Sequence, residues 1–300
     1  MWYACSVVVG NFANDPDLSE RHELSHGIGI EPTPDWLRNA GSAEQLSAEH
    51  QDLIDCSRLV LSVDYEAEAL GSLDPDWTGD TPRSIQTTID EKLGLAQIAC
   101  WLVKPSPFSC GPLLHFDQKG NHESLRESGS LKQIFISEKA HENVLSKSEI
   151  LESGRLLEEI LHLDRNGVLW LAIRTLISSL TENNWQIRYL LHWIVIETLF
   201  GPDDGELSYR IAQRISFFLA NQSSQRKQVF QDIKKGYTWR SKIVHGAKID
   251  SLSKEKSLEL TEIIESLIRR CLCKILRDGS LRESINGKER NEFLDDLVFQ

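Results

Sequence analysis

From residue 153 to residue 276 the apolar residues recur every three or four positions, and this spacing most constrains the possible fold. We expect five helices there, over residues 153–180, 185–200, 207–219, 226–244 and 254–276. In the first of them the apolar positions form a stripe wide enough to face a core, namely Leu156, Leu157, Ile160, Leu161, Val168, Leu171, Ala172, Leu176 and Leu180. The sequence therefore predicts an all-α helical bundle over residues 150–300.

The first 140 residues have a different pattern, in which short β-branched or alternating runs lie between breaks rich in Pro and Gly. We expect strands at residues 3–9, 58–65, 113–116 and 131–136. One helix is expected over residues 84–103, with Pro105 as its stop signal. Polar or turn-rich connections are expected at residues 31–35, 73–82 and 122–130. The predicted fold class is α+β, with a small sheet-plus-helix domain at residues 1–140 followed by the bundle.

Charge is unevenly distributed along the 300 residues. Residues 1–120 contain 19 acidic and 7 basic residues, a net charge of −12, whereas residues 121–300 contain 26 of each. The acidic total therefore does not exclude RNA as a partner of the second half. We expect the acidic first domain to be a sensor or regulatory domain that responds to an unknown trigger.

Six cysteines show no C-x-x-C pair, and no histidine lies at zinc-finger spacing from them, so we predict neither a metal site nor a cofactor. The N-terminus lacks the pattern of a secretory signal. The most apolar span, residues 189–200, is short and contains His192 and Glu197, which argues against a membrane helix. We predict a reduced, cytoplasmic protein without a membrane partner.

Three pairs of Arg and His have similar spacing: Arg21 with His26, Arg155 with His162, and Arg240 with His245. The first pair lies in an acidic stretch, and the second is flanked by Glu158 and Glu159. Around the third, residues 226–248 contain seven basic residues and one acid, a local charge of +6 that would attract a polyanion. We expect Gly246 to be the left-handed residue that ends the helix. His245 would then lie in the last turn, where the carbonyl end of the helix favours its protonated form. The third pair is the candidate site.

Guanidinium and imidazole groups suit RNA cleavage, because one stabilises charge on a phosphorane and the other moves a proton near neutral pH. We assign Arg240 to the non-bridging phosphate oxygens and His245 to general acid or base catalysis. The 2′-hydroxyl of RNA is then the nucleophile, and the expected products carry 2′,3′-cyclic phosphate and 5′-hydroxyl ends.

Three segments resemble a known family: I-V-I-E-T-L-F at residues 194–200, R-S-K-I-V-H-G at residues 240–246, and F-L-D-D-L-V-F at residues 293–299. Through them, roughly half of the chain is similar to the Apea-like group of HEPN domains. The resemblance implies an all-helical bundle that forms a homodimer and, in active members, cleaves RNA without a metal through this Arg and His. It also implies antiviral growth arrest of the abortive-infection type. Many active members follow the Arg with Asn, Asp or His, whereas this chain has Ser241.

Helix geometry favours the dimer as well, because five residues at about 100° each place Arg240 and His245 about 140° apart around one helix. A second copy related by a two-fold axis would bring an Arg and a His from each protomer into one cleft. The alternatives are a surface ion pair for Arg240 and a helix-terminal His245 bound to backbone carbonyls.

Several neighbouring residues are candidate supporting groups. Ser241 would bind a phosphate or orient the imidazole, or be a solvent-facing hydroxyl. Glu197 lies in an apolar helix and so needs a partner such as Arg240, unless it reaches solvent. The predicted RNA-binding residues, each with a solvated face or bundle packing as the alternative, are Lys235, Tyr237, Lys242 and Lys248.

Two functional hypotheses follow from these residues. The first is a metal-independent HEPN endoribonuclease whose substrate is RNA. The second is a catalytically silent HEPN dimer that binds RNA or nucleotides as a scaffold or sensor.

Overall fold

The computed structural model describes residues 2–9, 19–40, 46–65, 82–106, 109–137, 140, 142–203, 205–246 and 253–299. The chain divides into two units, Met1–Leu161 and His162–Gln300. The first contains an antiparallel sheet with helices, and the described part of the second contains helices alone. The predicted α+β class, with a sheet domain preceding an all-helical region, is confirmed.

In the part of the first unit that the structure describes, the sheet has six strands: β1 (Trp2–Val9), β2 (His22–Ser25), β3 (Ile28–Pro32), β4 (Leu59–Tyr65), β5 (Ser109–Phe116) and β6 (Arg126–Ser130). Their order is β2-β3-β4-β1-β5-β6, and every neighbouring pair is antiparallel. The helices among the described residues of this unit are α1 (Asp35–Ala40), α2 (Ala48–Cys56), α3 (Pro82–Val103) and α4 (Lys147–Leu161).

Both faces of the central strand β1 are buried. Tyr3 and Val7 point into a cluster that includes Leu37 of α1 and Ile54 of α2. Because side chains alternate along a strand, Ala4 points to the opposite face, where it is fully buried as well. The first unit therefore has helices and a sheet packed as layers around β1.

The strands β2 and β3 form a hairpin that the sequence patterns do not predict. Its two-residue turn consists of His26, with φ 49°, and Gly27, with φ 75°. Two consecutive left-handed residues are typical of the turn that matches the twist of a hairpin. β3 extends over the first two residues of the connection expected at residues 31–35, and α1 begins at its last residue. β6 lies within the connection expected at residues 122–130, and the strand expected at residues 131–136 is absent from those described residues. The loop expected at residues 73–82 lies almost wholly outside the described residues.

α4 belongs to the first unit, although the apolar periodicity predicted a bundle from residue 150 onward. The helix packs against α3 and β2. At Gly154 it approaches the sheet so closely that a Cβ atom would lie 2.6 Å from the carbonyl oxygen of Leu24. The helical unit therefore begins at His162 rather than at residue 150.

The second unit contains α5 (Val168–Leu180), α6 (Trp185–Phe200), α7 (Leu207–Leu219), α8 (Ser223–Val244), α9 (Lys254–Arg277), α10 (Gly279–Asn286) and α11 (Arg290–Asp296). α6 and α7 have the predicted bounds, and α8 and α9 differ from prediction by one to three residues. Residues 153–180 form two helices instead of one, because Asp164 accepts hydrogen bonds from the amides of Asn166 and Gly167 and closes a turn. Leu171, predicted to face the core, is 55% exposed.

In the described part of the chain, no helix combines the length and apolar character that crossing a membrane requires.

Candidate functional site

α8 carries the candidate site and ends as the sequence predicted. Gly246 has a φ of +63°, and its amide donates to the carbonyl of Ile243 at 3.2 Å. The amide of His245 donates to the carbonyl of Ser241 at 3.0 Å. These bonds close the last turn of the helix. The imidazole of His245 is consequently exposed at the end of α8.

α8 approaches α6 closely at Gly236, one turn before Arg240. A Cβ atom at Gly236 would lie 2.9 Å from the ring of Trp193 and 3.0 Å from Ile264 of α9. The hydroxyl of Tyr189 donates to the carbonyl of Gly236 at 2.9 Å. In a helix that carbonyl also accepts the amide of Arg240. The turn that carries Arg240 is therefore fixed by a buried side chain of α6.

Aromatic rings extend this contact along the two helices. Trp185, Tyr189 and Trp193 follow each other at intervals of four residues on α6, with ring centroids 6.5 and 6.4 Å apart. The ring of Tyr237 stands perpendicular to that of Trp193, with centroids 5.4 Å apart. Edge-to-face pairs of this kind stabilise packing. The contact favours bundle packing, rather than base stacking, for Tyr237.

Arg240 forms an ion pair with Glu197, as expected from the position of this acid in an apolar helix. The Nη2 atom of Arg240 lies 3.2 Å from Oε1 and 3.3 Å from Oε2 of Glu197. The guanidinium also lies 5.5 Å from the ring centroid of Tyr237. Both members of the pair are about one-quarter exposed, with side-chain exposures of 26% and 22%. Arg240 is thus held in one orientation while part of it stays accessible.

Burial raises the pKa of Glu197, while the charge and hydrogen bond of Arg240 lower it, and the pKa remains above its usual value. Partial removal from water disfavours the ionised carboxylate and makes the nearby guanidinium more important to it. The ionised form of Glu197 therefore depends on Arg240, and the ion pair connects α6 to α8 at the site.

The structure does not bring Arg240 and His245 together within one copy of the chain. On one helix, five residues separate the two by about 140° and about 7.5 Å along the axis. Arg240 faces α6, whereas His245 is exposed at the helix end. Ser241 is half-buried, and its carbonyl belongs to the last turn of the helix. A cleft that contains both functional groups requires a further surface.

Most basic residues near the site already have partners inside the helical unit. Lys235 lies 3.0 Å from Glu259, and the Nζ atom of Lys242 lies 4.2 Å above the ring of Trp239. Lys234 donates to Ser208, and Arg226 donates to the carbonyl of Ala220. Lys248 lies outside the described residues. The expected basic surface is therefore partly neutralised by acids, although Lys242 remains exposed.

The other two Arg–His pairs are engaged differently. Arg21, in the first unit, lies across the sheet and donates to Ser62 at 2.9 Å and to Glu31 at 3.3 Å. Arg155 is exposed and lies 3.4 Å from Glu152. These contacts account for Arg21 as a group that stabilises the sheet and for Arg155 as a surface charge.

The sequence patterns did not predict one buried polar pair in the helical unit. His192 of α6 is fully buried, and its Nε2 atom lies 3.7 Å from Oε1 of Glu265 on α9. Burial raises the pKa of Glu265 to about 8, against the opposing charges of Arg188 and Arg269. Burial and the charge of Arg188 lower the pKa of His192 to about 3. Burial therefore favours the uncharged form of both side chains.

The fold and these contacts define an α+β protein whose helical unit holds a half-buried arginine–glutamate pair on the helix that ends in an exposed histidine. Among residues 162–300 as described, no three His, Cys, Asp or Glu side chains converge as metal ligands. The chain matches no protein-family model, no curated protein and no solved structure.

Proposed function

We propose that this protein is a metal-independent endoribonuclease of the HEPN type. The observation that carries the proposal is the fixed orientation of Arg240, held by Glu197 and Tyr237 on the helix that ends in an exposed His245. Arg240 contacts Glu197 through Nη2, and among the described residues its Nε and Nη1 have no hydrogen-bonding partner. Those two donors suit the non-bridging oxygens of a phosphate.

The proposed reaction is an internal transesterification. The 2′-oxygen of RNA loses its proton and attacks the adjacent phosphorus, and the bond from phosphorus to the 5′-oxygen breaks. Arg240 stabilises the charge on the phosphorane. His245 either accepts the proton of the 2′-hydroxyl as general base or donates a proton to the departing 5′-oxygen as general acid, and water makes the other proton transfer. The products are a 2′,3′-cyclic phosphate and a 5′-hydroxyl, so DNA is not a substrate.

The cleft in this proposal is shared by two copies of the chain. Ile187 and Ile194 are 48% and 44% exposed and lie on one face of α6, seven residues apart. Val244, one turn after Arg240 on α8, is 50% exposed. A second copy that covers these apolar side chains would also meet Arg240 and Glu197 and supply the opposing His245. Glu197 then orients Arg240, with Ser241 and Lys242 beside the phosphate.

We further propose that the protein acts in the cytoplasm as an antiviral effector that arrests growth when the first unit receives its trigger. This role follows from the HEPN resemblance of residues 194–200, 240–246 and 293–299. Cells that express the protein at high level are expected to stop growing, and cells that express the Arg240→Ala variant are expected to continue.

A catalytically silent dimer that binds RNA or nucleotides is the second candidate. The neutralisation of Arg240 by Glu197, and of Lys235 by Glu259, favours this function. Such a protein would bind RNA in a salt-dependent manner and leave it intact.

Incubation of the purified protein with total RNA in EDTA separates the two candidates. The ribonuclease predicts cleavage that is lost in both Arg240→Ala and His245→Ala. The matched controls are Arg155→Ala and His162→Ala, which remove an exposed Arg and an exposed His elsewhere and should retain full activity. Intact RNA with the wild-type protein at every salt concentration would contradict the ribonuclease and support the scaffold.

A further inference from the structure

The last turn of α6, which carries Glu197, is held by side chains from two other helices. A helix end leaves carbonyl groups without partners inside the helix. Here the carbonyl of Thr198 accepts from Nη1 of Arg290 at 2.7 Å, and that of Phe200 accepts from Nη1 of Arg214 at 3.0 Å. α6 has no basic residue in its own last turn. The cations that favour its negative end therefore come from α7 and α11.

Arg214 connects this helix end to α11. It is 1% exposed, and its Nε atom lies 2.9 Å from Oδ1 of Asp295. Its Nη1 atom also donates to Oδ1 of Asn291 at 2.8 Å. Leu294, between these two residues, is fully buried. A helix of only seven residues is thus anchored by an ionic contact with a buried arginine and by an apolar side chain.

Arg290 is the α11 residue that reaches the site most directly, because Thr198 immediately follows Glu197. The carbonyl that Arg290 binds belongs to the last turn of α6, and Glu197 contacts Arg240 from the same turn. If this turn frays, the carboxylate of Glu197 leaves the position in which it holds the guanidinium. Helix ends fray unless their carbonyl groups are bound.

We propose that α11 binds and stabilises the last turn of α6 and that Arg290 is a positioning residue for the pair formed by Glu197 and Arg240. The contact fixes the last turn of α6 and therefore the orientation of Arg240. The structural part of this inference is independent of the proposed ribonuclease, and only its catalytic consequence rests on that function.

The first test measures the coupling of Glu197 and Arg240 without reference to activity. Urea unfolding of the parent protein, Glu197→Gln, Arg240→Gln and the double variant completes a double-mutant cycle. The coupling ratio is the factor by which the effect of one substitution on the unfolding constant changes when the other substitution is present. We expect a ratio of about 3 in the wild-type background, as for partly exposed ion pairs, and about 1 in the Arg290→Ala background. Should Arg290→Ala fail to fold, Arg290→Gln gives the same measurement.

Arg210→Ala is the matched control, because Arg210 lies on α7 and contacts Asp295 of α11. It is expected to lower stability while leaving the ratio near 3. A ratio unchanged by Arg290→Ala, or lowered equally by Arg210→Ala, would overturn the assignment of Arg290.

Cleavage kinetics provide the second test. We expect Arg290→Ala to lower kcat about tenfold with little change in KM, Arg290→Lys to restore part of it, and Arg290→Ala to have almost no effect in the Glu197→Gln background. Equal losses in both backgrounds would show that Arg290 acts independently of Glu197. If the wild-type protein cleaves no RNA, the proposed function fails while the coupling ratio still decides the role of Arg290.

Discussion

The hydroxyl of Tyr189 donates a hydrogen bond to the backbone carbonyl of Gly236 at 2.9 Å, so that a side chain of α6 binds an interior turn of α8. Glu197 and Arg240 make a further contact between these helices, about two turns further along α6 and one turn further along α8. The two contacts fix the register of α6 against α8. They explain how one side of the candidate site is built before any substrate arrives.

Tyr189→Phe tests this register with the smallest possible change. Loss of the buried hydroxyl should lower the free energy of unfolding by about 1 kcal/mol, since the fold and the ring contacts are retained. Amide hydrogen exchange at Arg240 should become faster, because that amide shares the carbonyl of Gly236. Unchanged exchange at Arg240 would show that the hydroxyl does not stabilise this turn.

Gly236→Ala is expected to destabilise the protein despite the better helix propensity of alanine. The new Cβ atom would lie 2.9 Å from Trp193 and 3.0 Å from Ile264, which forces the helices apart. We expect a loss of roughly 1–3 kcal/mol in urea unfolding. Gly279→Ala is the control, because its Cβ atom would meet only the end of Arg282 at 3.6 Å, and it should be neutral or stabilising. Equal effects of the two substitutions would contradict the close approach at Gly236.

Glu265 should make stability depend on pH. Its pKa in the folded protein is about 8, above the usual 4.5, so the folded state binds the proton more tightly than the unfolded state. The corresponding stabilisation is complete below pH 4.5 and is lost as the pH rises towards 8. Glu265→Gln should therefore raise the free energy of unfolding by roughly 2–4 kcal/mol at pH 9 relative to its effect at pH 4.

His192 should make stability depend on pH in the opposite direction. Its pKa falls from the usual 6.5 to about 3, so its contribution is complete above pH 6.5 and is lost as the pH falls towards 3. His192→Gln should therefore raise the free energy of unfolding more at pH 4 than at pH 8.

If Glu265→Gln had the same effect at pH 4 and pH 9 in urea unfolding, the buried carboxyl group would not be the source of the pH dependence.

The proposed dimer predicts that charges on the exposed face of α6 separate the protomers. The double variant with Ile187→Asp and Ile194→Asp should sediment as a monomer in analytical ultracentrifugation, and the wild-type protein as a dimer. Tyr209→Ser is the matched control, because Tyr209 is 45% exposed on α7 and should leave the dimer intact. A monomeric wild-type protein would remove the basis for a shared cleft.

Sequence patterns predicted the long helices because their apolar periodicity extends over three or more turns. The hairpin of β2 and β3 escaped prediction because its turn has His26 where Asn or Asp is typical, and its strands have only four and five residues. α10 and α11 have eight and seven residues, too few for the periodicity to distinguish a helix from a loop.

At the site, the sequence indicated Arg240 as a possible partner of Glu197, because an acid in an apolar helix needs a partner unless it reaches solvent. The left-handed Gly246 followed from the helix-stop signal. The contact of Tyr189 with Gly236 and that of Arg290 with Thr198 could not be predicted. Each depends on which helices become neighbours, and both use a backbone carbonyl, which no residue type specifies.

The most direct test of the central claim mixes two inactive variants, Arg240→Ala and His245→Ala, under conditions that exchange protomers. About half of the dimers in an equal mixture would then carry one intact Arg240 and one intact His245. If the two side chains line a shared cleft, the mixture should regain RNA cleavage in EDTA and produce 2′,3′-cyclic phosphate ends. A mixture as inactive as each variant alone, although the wild-type protein cleaves RNA and the protomers exchange, would contradict the shared cleft.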